Sequence, residues 1–278
     1  MNGKVSSARS VKRRGLSASG GGTRPRISKG LLRFFGKYSD GYLRRHFHSV
    51  RLLANGVPKD CAGWPLVVYS NHSSWWDPLI YLLLARRFFP SRNAYGPMDA
   101  GALQRYRFFQ RLGFFGVKIG TARGAAGFLK QAGVILAADD SALWLTPQGK
   151  FADDRMRPPK FQSGLAHLAR RTERTAFLPV AVEYSFWEER LPEILISFGD
   201  PIVFETTHPL SVPEITSLFE SALASVQDQL AAASQRRQSG EWHTLLCGRA
   251  GTSRVYDLWR SVRAKLRGET FDATHSDL

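Results

Sequence analysis

The reading of this chain turns on the stretch Leu66-Val67-Val68-Tyr69-Ser70-Asn71-His72-Ser73-Ser74-Trp75-Trp76-Asp77-Pro78-Leu79-Ile80. Its first five residues form a short apolar run of the kind that makes a strand buried on both faces. A polar turn follows. Pro78 then opens a helical pattern over 78–86, in the first turn, where proline's missing amide donor costs nothing. A strand running through a polar turn into a helix is the building unit of a parallel α/β sheet, and such sheets carry their sites beyond the strand's carboxyl end. His72 and Asp77 both lie in that turn. At a helix entrance, a carboxylate five residues on can reach the imidazole, fix its tautomer and leave the other ring nitrogen as a base. The alternative is a helix-capping aspartate beside a surface histidine.

The same alternation continues outward. Strand character recurs over 112–119, 143–146, 177–184 and 194–198, and helical patterns cover 125–138 and 164–171. The fold class is therefore α/β: a mostly parallel or mixed sheet flanked by helices, with an N-terminal amphipathic helix and a C-terminal helical extension. Residues 1–27 are rich in Ser, Gly, Arg and Lys and read as a disordered basic tail. Residues 28–53 read as one amphipathic, membrane-interface helix region. Arg33, Lys37, Asp40, Arg44, His48 and Arg51 line one face, and Leu31, Phe34, Phe35, Tyr38, Tyr42, Phe47, Val50 and Leu53 cover the other. The α/β domain spans 54–210. Residues 211–278 form the helical extension, an amphipathic helix over 211–233 followed by a basic, aromatic segment with Trp242, Tyr256 and Trp259.

The formal net charge of this 278-residue chain is +16, and residues 1–53 hold 13 Lys and Arg against the single acid Asp40. That bias marks an affinity for polyanions, with an anionic membrane surface as the expected partner. A non-enzymatic basic binder of nucleic acid is the alternative from another class. The cations cluster in one tail and no nucleic-acid-binding motif appears, so nucleic acid is not an expected partner. A hydrophobic content of 43% excludes a mostly disordered chain. No apolar run reaches the ~18 residues of a spanning helix. Arg13-Arg14 is followed by no apolar stretch that would make it an export signal. The expected location is cytoplasmic, peripheral on the inner face of the membrane. Cys61 and Cys247 are too few for a disulfide scaffold or a Cys-rich zinc site, and no metal-binding or dinucleotide-binding pattern is present, so no metal and no cofactor are expected.

Asn71-His72-x4-Asp77 resembles the first sequence block of the PlsC-type glycerolipid (1-acylglycerol-3-phosphate) acyltransferases. Three further stretches match in order. Leu112-Gly113-Phe114-Phe115-Gly116-Val117-Lys118-Ile119-Gly120-Thr121-Ala122-Arg123 stands where the family has a glycine-led strand ending in arginine, with Arg123 as its counterpart. Thr146-Pro147-Gln148-Gly149-Lys150-Phe151 stands where the family has Phe-Pro-Glu-Gly-Thr-Arg: Pro147 and Gly149 match, Glu has become Gln148, and Thr-Arg has become Lys150-Phe151. Phe177-Leu178-Pro179-Val180-Ala181-Val182 matches the fourth, proline-centred strand. The resemblance spans about residues 62–205.

The resemblance implies transfer of a fatty acyl group from a thioester, acyl-CoA or acyl-carrier protein as co-substrate, to the hydroxyl of a lysophospholipid such as 1-acylglycerol-3-phosphate. It casts His72 and Asp77 as the catalytic pair, with His72 the general base. It casts Arg123, Gln148, Gly149 and Lys150 as substrate-binding residues, since the family's third block helps to hold the phosphorylated acceptor. The altered third block leaves a different lipid or a specialised metabolite as the alternative acceptor. Hydrolysis by the same pair is a further alternative. Backbone amides near Gly149 are candidates for steadying an oxyanion. Asp153, Asp154 and Lys160 read as a solvated charged loop.

Overall fold

The computed structural model describes residues 23–249 apart from 60, 62, 173 and 205–208. The expectations for 1–22 and 250–278, including Tyr256 and Trp259, lie outside the described residues. Helix α1 (Lys29–His46) leads into strand β1 (Ser49–Leu53). The core succession is then β2 (Leu66–Ser70), α2 (Asp77–Phe88), β3 (Asn93–Asp99), α3 (Ala100–Arg105), β4 (Phe114–Val117), α4 (Ala122–Leu136), β5 (Ser141–Leu145), α5 (Gly164–Ala169) and β6 (Thr175–Ser185). After it come β7 (Glu193–Phe198), β8 (Ile202–Phe204), α6 (Val212–Arg236) and β9 (Trp242–Cys247).

These strands make one mixed sheet in the order β4-β3-β5-β2-β6-β7-β1-β9, with β8 alongside β6. From β4 to β6 each neighbouring pair is parallel. β7 runs antiparallel to β6, β1 parallel to β7, and β9 antiparallel to β1. β2 is central and wholly buried, as its apolar run requires. Its alternate side chains feed opposite cores: Val67 and Tyr69 pack toward the layer that includes α4, α5 and α6, while Leu66 and Val68 pack toward α1 and α2. Tyr69 and Phe177 stack near Phe219 of α6, with ring centroids 5.2 and 5.0 Å away. A capping box between Ser211 and Glu214 starts α6.

The α/β class and the strands and helices expected between 66 and 236 are borne out in type. Several segments differ. The helix expected through Leu53 stops at His46, and Ser49–Leu53 is a strand between β7 and β9, because Val50, Leu52 and Leu53 find burial on both sides there. Residues 242–247, read as part of a helical extension, form strand β9 on the sheet edge. Strands β3 and β8 and the short helix α3 had no counterpart in the reading. The segments on both sides of 54–210 thus complete the same sheet.

The faces of α1 also differ from expectation. Its buried stripe is Gly36, Ser39 and Leu43, while Phe34 and Tyr38 are 70% and 56% exposed. The cause is close approach to α2. A Cβ on Gly36 would lie 2.6 Å from Arg86 Nη1, and Arg86 in turn pairs with Asp40 at 2.5 Å. Gly36, costly in an isolated helix, makes room for that guanidinium.

Candidate active site

The site forms where β2 ends. Asn71, almost fully buried, extends the pairing of β2 with β6 by side-chain bonds: its Nδ2 donates to Val182 O at 2.8 Å and its Oδ1 accepts from Val182 N at 2.9 Å. Tyr81 Oη donates to Asn71 O at 3.0 Å. The backbone at His72 is held from the other side by the third-block loop, with His72 N donating to Gln148 Oε1 at 2.7 Å and Ala152 N donating to His72 O at 2.9 Å. The imidazole is thus mounted on the central strand and clamped by two neighbouring segments.

His72 Nδ1 lies 2.7 Å from Asp77 Oδ2. Asp77, the first residue of α2, is fully buried, where the helix N-terminus favours its negative charge. Its Oδ2 also accepts from Ser74 N at 3.2 Å, and its Oδ1 accepts from Tyr184 Oη at 2.6 Å. Burial, and then the charge on Asp77, push the Tyr184 hydroxyl well above its ordinary value, so it stays a donor. Asp77, acceptor-only and already accepting from two other donors, accepts from Nδ1–H of a neutral imidazole at His72, the tautomer that leaves the lone pair on Nε2. The His72 side chain keeps 21% exposure, enough to reach a substrate.

Beside the imidazole opens a cavity of about 730 Å³. Phe47, Trp76, Phe151, Tyr184 and Phe186 give it aromatic walls, and Ser73, Ser74, Asp153 and Asp154 its polar rim. The Phe151 ring rests against His72, centroids 4.4 Å apart. Asp153 and Asp154, read from the sequence as a solvated loop, line this cavity.

The substrate-binding candidates are distributed differently. Gln148 is buried behind the site as a brace for the His72 amide. Its Glu-to-Gln change keeps an acceptor for that amide. Gly149 adopts φ +69°, a conformation that glycine adopts freely, and its N–H donates to Thr146 O at 3.0 Å. That amide is therefore occupied and does not face an oxyanion. Lys150 is exposed. Arg123, exposed at the start of α4, lines a separate cavity of about 350 Å³ with Lys118 and Gln131. Thus His72, Asp77, Gln148 and Phe151 come together, and Arg123 does not join them. Tyr184, Tyr81 and Asn71 escaped the set of candidate residues. Asn71 was visible in its block, whereas no local pattern marks either tyrosine. Among the described residues no group of three or more His, Cys, Asp or Glu is placed to hold a metal ion.

A buried aspartate bonded to a part-exposed histidine at the carboxyl end of a central strand, next to an aromatic cavity, has the geometry that acid–base proton transfer requires. Residues 52–183 match the family model Acyltransferase. That stretch is an acyltransferase-family domain, and the PlsC-type resemblance read from the four blocks is borne out: the protein is an acyltransferase. A similar solved structure is the crystal structure of the 1-acyl-sn-glycerophosphate (LPA) acyltransferase PlsC from Thermotoga maritima. It shares 16% identity and a TM-score of 0.47, covering 73% of this chain and 79% of that one. No curated protein matches the chain.

Proposed function

We propose that this acyltransferase moves a fatty acyl group from a thioester, acyl-CoA or acyl-carrier protein, to the hydroxyl of a lipid acceptor, with His72 as general base. The supporting observation is the 2.7 Å contact of His72 Nδ1 with buried Asp77, beside a cavity of about 730 Å³. His72 Nε2 takes the acceptor hydroxyl proton as the oxygen attacks the thioester carbonyl. The tetrahedral intermediate collapses, and the leaving thiolate takes the proton back from the imidazolium. Asp77 remains a carboxylate throughout and balances the imidazolium. The acceptor expected from the family is a lysophospholipid such as 1-acylglycerol-3-phosphate. Arg123 and Lys150, exposed cations, are assigned to anionic parts of the substrates.

Peripheral binding at an anionic membrane surface belongs to the same proposal. Phe34, Tyr38, Trp75 and Phe108 are exposed, and Arg33, Lys37 and Arg45 accompany the two aromatics of α1. No helix among the described residues is long and apolar enough to cross a membrane. Thioester consumption by the full chain, measured with and without a lyso-lipid and beside His72→Ala, tests the reaction. Acceptor-dependent turnover that is lost in folded His72→Ala protein supports it. Fatty acid release without an acceptor replaces it with hydrolysis, and undiminished turnover in the variant removes His72 from its role.

A further inference from the structure

The loop that clamps His72 is held in turn by helix α6. Residues 146–163 connect β5 to α5. The first half of this loop meets the histidine: Gln148 Oε1 accepts from the His72 amide, Ala152 N donates to His72 O, and the Phe151 ring rests on the imidazole. The second half meets α6. Asp154 O accepts from Gln227 Nε2 at 2.8 Å and from Arg157 Nη1 at 2.6 Å. Arg157 Nε donates to Asp228 Oδ1 at 2.7 Å, and Phe161 N donates to Glu220 Oε1 at 2.6 Å. Gln227 and Asp228 follow Glu220 by seven and eight residues, two helical turns, so all three stand on one face of α6.

The same helix is tied to the carboxylate side of the pair. Ser234 Oγ donates to Glu183 Oε1 at 2.7 Å, and the next residue of β6, Tyr184, donates to Asp77 Oδ1 at 2.6 Å. The bonds close a circuit that runs from His72 through the loop to α6, then through β6 to Asp77 and back to the imidazole.

Stability does not account for the two bonds at Asp154 and Asp228. Gln227 is only 5% exposed, beside Leu223, Val226 and Leu230, and its Oε1 accepts no bond among the described residues. A buried, half-bonded amide costs stability that a methionine of similar shape does not. The Arg157–Asp228 pair has its carboxylate 66% exposed, and ion pairs of that kind add little to folding. What the two bonds share is Asp154 O, two residues along from the amide that binds His72 O.

Resting on the acyl-transfer reading above, we propose that Gln227 of α6 and Arg157, braced by Asp228, are positioning residues of the reaction: they fix Asp154 O and with it the seat of Ala152 and Phe151 on His72. Helix α6 is thereby a working part of the site, although none of its residues lines the cavity. A general base depends on its geometry to tenths of an ångström, so loosening this seat lowers turnover more than it lowers stability.

The test measures kcat by thioester consumption and stability by urea unfolding, both on the full chain, with palmitoyl-CoA as donor and lysophosphatidate or monoacylglycerol as acceptor. Gln227→Met should lower kcat about tenfold while the urea midpoint stays or rises. Wild-type kcat in that variant overturns the proposal, whatever its midpoint. Arg157→Ala should lower kcat by about as much, and Arg157→Lys, which keeps a cation for Asp228, should recover at least about threefold of it. Asp228→Asn, at the surface where folding is not at stake, should lower kcat about threefold. Arg236→Ala is the control. It breaks the exposed pair that Arg236 makes with Glu241 at the end of the same helix and should leave kcat within about twofold. A loss there equal to that of Gln227→Met overturns the proposal, because any weakening of α6 then suffices. In a Phe151→Ala background the effect of Gln227→Met should shrink, since both act on one loop. An undiminished effect overturns the action through the loop. Absence of acceptor-dependent consumption by the wild-type chain overturns the acyl-transfer reading and this proposal with it, whereas wild-type turnover with unaffected variants overturns this proposal alone.

Discussion

Among the described residues, two cavities on this sheet are built to different rules. The one beside His72 is assembled from buried, mutually bonded groups: Asn71 on Val182, Gln148 on the His72 amide, Tyr184 and Ser74 on Asp77. The one beside Arg123 is formed by the short strand β4 and the start of α4, and its cations Lys118 and Arg123 stand at the surface. The comparison shows where precision is needed. A proton transfer depends on tenths of an ångström and on a fixed tautomer, so its residues are over-determined by burial. Attraction of an anion works over several ångströms and tolerates a mobile side chain.

That contrast can be broken experimentally. His72→Ala should lower turnover by about 10²–10⁴-fold with folding retained, the range for losing a general base. Stopped-flow or end-point thioester consumption checks it. Asp77→Asn should cost about 10²-fold or more in kcat, because an amide can present Nδ2–H to Nδ1 and invert the tautomer. Wild-type kcat in that variant would detach the carboxylate from the chemistry. Tyr184→Phe removes one hydrogen bond to a buried charge and should lower kcat about tenfold with KM little changed. A change confined to KM would instead place Tyr184 against substrate.

Smaller effects sharpen the other side of the comparison. Gln148→Leu leaves the His72 amide without its acceptor and should cost ~1–3 kcal/mol of stability in urea unfolding. A stability unchanged from wild type would mean that the amide finds another partner. Arg123→Ala should leave kcat within about twofold and raise the KM of the anionic substrate a few-fold, the mark of binding without a part in the chemistry. A kcat loss comparable to that of Tyr184→Phe would join the two cavities into one working site.

Much of this was readable from residues alone, for identifiable reasons. The run 66–70 is apolar throughout and bounded by a polar turn, so its burial on both faces was legible, as was the helix that Pro78 opens. His72 and Asp77 were legible because five residues across a strand–helix turn is a local distance. The strand at 49–53 was not. Arg51 interrupts its apolar residues, and the preceding helical period runs smoothly into it; its partners β7 and β9 lie about 140 and 190 residues further on. The same distance hides β9, which in isolation shows only a basic, aromatic segment.

The site divides along the same line. Gln148 was expected against substrate because the third block of the resembling family helps to hold the acceptor. Its burial and its bond to the His72 amide arise only when the loop after β5 folds over the end of β2. Tyr184 reaches Asp77 across 107 residues of chain because β2 and β6 pair in parallel register. Asp153 and Asp154 pass for ordinary solvated charges until the cavity closes around them.

By itself the sequence determined the strand–turn–helix unit, the α/β class, the His–Asp pair and the acyltransferase family, since each rests on contacts between residues near one another in the chain or on the residues themselves. Tertiary structure alone decided which segments complete the sheet, which groups brace the imidazole, and which charges face the reacting centre. Those outcomes depend on burial and on register between distant strands, and neither is a property of any one stretch of chain.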